Sequence, residues 1–177
     1  MGMSFANLDD KTRKFMLDEL EQDITANKLY LSSRLNDTGR RNYEKLLRSA
    51  IQNGDDVFLA NSLAGLLKVY KQRARLSGGY KIAKVPIIAP ETLAEGEFNR
   101  FYCRGVCRRA IDEGLEEVEV YRAKPVRNPR PQSQALIGGK KKAKELLDDL
   151  RTNIGVDTTL GVPAGPNSGL SIRLLQK

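Results

Sequence analysis

The chain has no histidine and no tryptophan among its 177 residues, and only two cysteines. Each shortage removes chemistry. Without histidine there is no Ser-His-Asp triad, no Cys-His pair and no imidazole general base. An enzyme built on this chain would have to work through lysine, tyrosine or carboxylates. Cys103 and Cys107 lie four residues apart in a helical pattern, which puts both thiols on one face but would strain a disulfide between them. A metal site there would have to recruit carboxylates, because there is no second cysteine pair. The expectation is two small buried residues and no metal.

Long apolar runs are also missing. Nothing approaches the roughly 20 residues of a membrane-spanning helix. The opening residues do not show the basic start and apolar stretch of a signal peptide. A cytoplasmic protein with no membrane partner is expected. Cofactor fingerprints are absent as well. Gly138-Gly139-Lys140-Lys141 is not a phosphate-binding loop, since Gln134 stands where the first glycine belongs and no Ser or Thr follows the lysine. Its lysines after a glycine pair are still expected to be able to hold an anion at a helix start. The glycines between Gly161 and Gly169 lack a strand-to-helix context. No cofactor is predicted.

What is present points to a folded α+β protein. The hydrophobic share of 40% and charged share of 29% suffice for one core, and with aromatics at 6% that core must be mostly Leu, Ile, Val and Ala. Apolar spacing predicts helices over 8–25, 40–52 and 55–76. Asn7 or Asp9 is the candidate cap of the first, the turn Asn36-Asp37-Thr38-Gly39 supplies one for the second, and Asp55 or Asp56 opens the third. The third is expected to turn Val57, Ala60, Leu63, Ala64, Leu67 and Tyr70 inward. Leu29 and Leu31 alternate with polar neighbours over a short extended piece. Ser77-Gly78-Gly79 breaks the helical pattern. Residues 82–89 read as an edge strand or extended arm interrupted by Pro86. A fourth helix is expected from Ala94 or Glu97 to Glu113, and a fifth over 140–152. Residues 155–169 read as a loop. Alternation predicts strands at 117–121 and 170–174 in one sheet. The expected architecture is a single domain over 1–177: a helical subregion, 1–76, packed on an α+β subregion, 80–177, which has a small sheet with helices and a basic extended arm at 122–134.

The strongest functional signal is charge. Arg122, Lys124, Arg127, Arg130, Lys140, Lys141, Lys142 and Lys144 occur without an Asp or Glu among them, and together match the whole formal net charge of +8. The rest of the chain therefore sums to zero. Prolines extend the first half of this segment. An extended basic arm can follow a phosphate backbone, so these eight residues are the candidate nucleic-acid or anion site. A secondary candidate is Arg100, Arg104 and Arg108, which share one ridge of a helix. Internal ion pairs, for example Arg108 with Asp112, are the competing reading of that ridge. A helix-turn-helix around Asn53-Gly54 is disfavoured, because Asp55 and Asp56 would meet phosphate, and an ordinary helical hairpin fits better.

Three function classes remain. The leading expectation is a non-enzymatic protein that binds nucleic acid, or another polyanion, through its basic arm and the helix after it. The second is a self-assembling structural subunit of a virus-like or other nucleoprotein particle, a homo-oligomer. The third is a histidine-independent enzyme acting on an anionic substrate.

Overall fold

Each of the first three helices starts on a side-chain cap. Asp9 accepts the Thr12 N–H at 3.0 Å and opens α1, Asp10–Thr25. Asn36 accepts the Gly39 N–H at 2.8 Å before α2, Asp37–Asn53. Asp55 accepts the Phe58 N–H at 2.8 Å before α3, Asp56–Leu63. A short side-chain oxygen thus satisfies one of the amides left without a partner at each helix start. The computed structural model describes residues 2–154, 161 and 168–175.

After α3 the chain forms a two-stranded antiparallel ribbon, β1 (Tyr70–Ala74) and β2 (Tyr80–Lys84). It then enters the long helix α4, Ala89–Asp112, with Pro90 in its first turn. The C-terminal part runs β3 (Glu117–Arg122), α5 (Pro131–Ala135), β4 (Lys140–Lys142), α6 (Ala143–Thr152) and β5 (Leu170–Leu174). The second sheet has the order β4-β3-β5, antiparallel throughout, with Val120 opposite Ile172.

The centre of the molecule is α4. Its residues from Glu97 to Cys107 are all buried, and it packs against α1, α3, α6 and β5. One hydrophobic cluster takes in Met16 and Leu20 of α1, Leu47 of α2, Phe98 and Val106 of α4, Leu150 of α6 and Ile172 of β5. Burial of each such side chain stabilises by about 1.5–3 kcal/mol. At the α1–α4 crossing Gly105 permits the close approach, because a Cβ there would lie 2.6 Å from Met16 Cγ and 3.1 Å from the Thr12 carbonyl oxygen.

The α+β class and the β3–β5 pairing match the sequence reading. The departures have local causes. The third helix stops at Leu63 instead of continuing to residue 76. Gly65 adopts φ +77°, and Leu67 then bridges to Leu35 while the Lys68 N–H donates to the Arg34 carbonyl at 2.8 Å. The ladder leaves the helix axis, so Tyr70 is 59% exposed rather than buried. Within α3, Asp56 is buried and accepts the Met3 N–H at 3.0 Å, which rotates Leu59 inward and Val57 outward. Strand β2 ends before Pro86, and α4 begins at Ala89, earlier than expected. Pro131 starts a short helix inside the supposed arm. Lys140–Lys142 is a strand, and the fifth predicted helix begins only at Ala143. Most of the loop predicted at 155–169 lies outside the described residues. Among those described, no helix is long and apolar enough to cross a membrane.

Candidate nucleic-acid interface

The β1–β2 ribbon turns on a glycine pair. Gly78 and Gly79 both hold positive φ, 86° and 75°, a region closed to most side chains. The Arg75 N–H donates to the Gly79 carbonyl at 3.0 Å and closes the loop. Residues directly opposite in an antiparallel pair share a face, so the register sorts the side chains. Lys71 pairs with Ala83 and Arg73 with Lys81, giving one cationic face. Tyr70 pairs with Lys84, Gln72 with Ile82 and Ala74 with Tyr80, giving one aromatic and apolar face. Tyr80 is 71% exposed, Ile82 76%, and Leu76 at the tip fully.

No Asp or Glu occurs from residue 57 to residue 90, a stretch containing Lys68, Lys71, Arg73, Arg75, Lys81 and Lys84. Among the described residues, none of these six forms a salt bridge. Arg73 directly opposite Lys81 is a like-charge pair, which costs stability unless an anion sits over it.

The segment marked by the sequence is more heavily engaged than its local composition implies. Lys124 forms a salt bridge with Glu95 of α4. Arg122 donates to the Ser168 carbonyl at 2.7 Å and to Gln134 Oε1 at 3.0 Å. Lys140 and Lys142 sit on β4 opposite Glu119 and Glu117. Lys140 Nζ lies 3.8 Å from Glu117, and Lys142 Nζ 3.3 Å from Glu145. The carboxylates missing from the segment itself are therefore supplied across the sheet and from the helices. Arg127, Arg130 and Lys144 are exposed and Lys141 half-buried, and none of the four forms a salt bridge among the described residues. The glycine pair before the lysines offers no amide cradle. The Gly138 N–H donates to the Val120 carbonyl at 2.8 Å and the Gly139 N–H to the Leu136 carbonyl at 3.0 Å.

The arginine ridge faces inward. Arg104 is 1% exposed; its Nε donates to Glu19 at 2.8 Å and its Nη1 to Asp23 at 2.6 Å. Arg108 donates to Glu19 at 2.9 Å rather than pairing with Asp112, and Arg151 of α6 reaches the same carboxylate at 2.6 Å. Arg100 is buried and donates to the Asn153 carbonyl at 2.7 Å. Burial opposes ionisation of Glu19, but Arg151, Arg104 and Arg108 outweigh it and hold the carboxyl below its usual range. Glu97, on the same helix, goes the other way: burial pushes its carboxyl up to about 7. Cys103 and Cys107 are free and buried, and burial raises the Cys103 thiol to about 12, far from a reactive thiolate.

The ribbon and the start of the arm are both tied to the N-terminal part of α4. The ribbon leads into Ala89, and Glu95, the partner of Lys124, lies about 9 Å further along the axis. The ribbon was legible in part. The acid-free run and the Gly-Gly turn were both visible, but a helix drawn through 55–76 scatters the same charges around a cylinder. No protein-family model, curated protein or solved structure matches this chain.

Proposed function

We propose that the chain is a nucleic-acid-binding protein that uses the 70–84 ribbon as its main contact and the exposed part of the basic arm as a flank. The observation that carries this reading is the cationic face of Lys71, Arg73 and Lys81, with no Asp or Glu in the sequence from 57 to 90 and no salt bridge to any of the three among the described residues. Folding gains nothing from setting Arg73 against Lys81. A phosphate backbone would turn that cost into attraction, and the released counterions would make binding strongly salt-dependent. A two-stranded ribbon also has the cross-section that a duplex groove admits. Arg127 and Arg130 follow shortly after Lys124, whose partner Glu95 lies in the N-terminal part of α4, while Lys144 lies near the other end of that helix, where the Ala143 N–H bonds the Glu116 carbonyl.

A salt series tests the reading. Binding of labelled DNA and RNA by fluorescence anisotropy should give a log–log salt slope of about −3 or steeper, from four or more phosphate contacts. Absence of binding at low salt sinks the proposal.

A self-assembling particle subunit is the second reading. It is favoured by Ile87 and Ile88 at the root of the ribbon, 95% and 52% exposed, an apolar step that a neighbouring copy would cover. Light scattering separates the two: a large closed oligomer without nucleic acid supports the second.

A further inference from the structure

The ribbon carries two faces, and phosphate contacts account for only one. The other holds Tyr70, Gln72, Ile82 and Tyr80, with Lys84 as its one charge. A two-stranded sheet with an uncovered apolar face is marginal in water, and aromatic side chains this exposed mark an interaction surface. A second copy is a poor occupant, since it would carry the Lys84 ammonium of each ribbon into the seam and supply no anion for the cations of the reverse face. Duplex DNA is a poor one too, because its bases are already stacked and it presents charged backbone. Unpaired bases are apolar planes joined to phosphates, and the ribbon offers both complements within its own width.

Building on the nucleic-acid reading above, we infer that the tyrosine face of the ribbon is a seat for single-stranded nucleic acid, with bases stacking on Tyr70 and Tyr80 and phosphates held by Lys84 and by the basic side chains of the reverse face. Tyr80 lies opposite Ala74, so the two rings are about 13 Å apart along the strand direction. That leaves room for further bases over Gln72 and Ile82. The strands are only about 4.8 Å apart. Lys71, Arg73 and Lys81 can therefore reach around the edges to a backbone running along the tyrosine face. Interleaved rings and cations are the general design of strand-binding surfaces, and they bind with little sequence preference.

The test uses the full chain, a labelled oligothymidylate and a duplex of the same length. The variants are Tyr70→Ala/Tyr80→Ala and Tyr70→Phe/Tyr80→Phe. Both positions are exposed, so thermal melting should show both variants folded. The alanine pair should lose about thirty-fold in affinity for the single strand, the equivalent of about 1 kcal/mol for each of two stacks. Its duplex affinity should be unchanged, and the phenylalanine pair should keep single-strand affinity. Because the chain has no Trp, its fluorescence is tyrosine emission. Quenching by the single strand, corrected for absorption, should occur in the parent and vanish in the alanine pair. If the alanine pair binds the single strand as the parent does, if both nucleic acids weaken together, or if phenylalanine fails to substitute, this inference is overturned while nucleic-acid binding stands. A parent chain that binds neither nucleic acid overturns both.

Discussion

Arg104 Nε sits 2.8 Å from Glu19 Oε2 at a point where neither side chain is more than 1% exposed. Asp23 accepts from the other two nitrogens of the same guanidinium, and Arg108 and Arg151 converge on Glu19 from the rim. This cluster joins α1, α4 and α6. Removing one partner of such a buried pair leaves charge without compensation, at a cost of about 3–5 kcal/mol. Arg104→Gln should therefore lower the urea midpoint sharply. Arg127→Gln, at an exposed arm position, should leave it nearly unchanged. A stable Arg104→Gln variant that loses nucleic-acid binding would place the site on α4 instead.

The ribbon and the arm differ in how much of their charge is free. Lys71→Gln/Arg73→Gln/Lys81→Gln should weaken binding strongly and make the log–log salt slope shallower by about 2 to 3, close to one per lost phosphate contact. Lys124→Gln/Lys140→Gln/Lys142→Gln should do less, because those lysines already face Glu95, Glu117 and Glu145. The set Arg127, Arg130, Lys141 and Lys144 should fall between. Anisotropy at one fixed salt, then across salt, ranks the three; the arm lysines ranking first would refute the ribbon as the main contact.

Glu97 makes stability depend on pH in a defined direction. Burial, with Asp23 adding and Arg100 and Arg104 opposing, raises its folded pKa from 4.5 to about 7. The unfolded chain then ionises this group first. Its contribution is greatest below pH 4.5, declines as pH rises to about 7, and is flat above, a loss of about 3 kcal/mol. Glu97→Gln removes the decline. Urea melts at pH 5 and pH 8 should show the variant gaining on the parent as pH rises. A difference independent of pH would refute the shift.

Gly105→Ala should destabilise the protein even though alanine favours helix by about 1 kcal/mol. The added Cβ would meet the α1 backbone at the Thr12 carbonyl as well as Met16, and overpacking of this kind costs about 1–3 kcal/mol. Thermal melting decides it; an unchanged or higher Tm would show that the crossing can relax.

Periodicity, caps and alternation are local properties, and they narrowed the helix starts to Asn7 or Asp9, the turn at 36–39, and Asp55 or Asp56, where the caps prove to be Asp9, Asn36 and Asp55, and sufficed for strands β3 and β5. Composition likewise established the basic excess and the absence of histidine chemistry. What lay beyond the sequence was which charges have partners. Glu19 to Arg104, Glu95 to Lys124 and Glu117 to Lys140 are meetings of residues distant along the chain. A count of neighbours in sequence therefore marked the Arg122–Lys144 segment as free when the fold had engaged much of it. The ribbon went the opposite way. From Leu67 to Tyr70 the spacing continues the helical period, and only the bridge from Leu67 to Leu35, with the Lys68 amide bonded to Arg34, commits the chain to a ladder. Backbone hydrogen bonds to a distant segment overrode the local period. Once strands replaced helix, the same residues sorted onto two faces, one cationic and one aromatic.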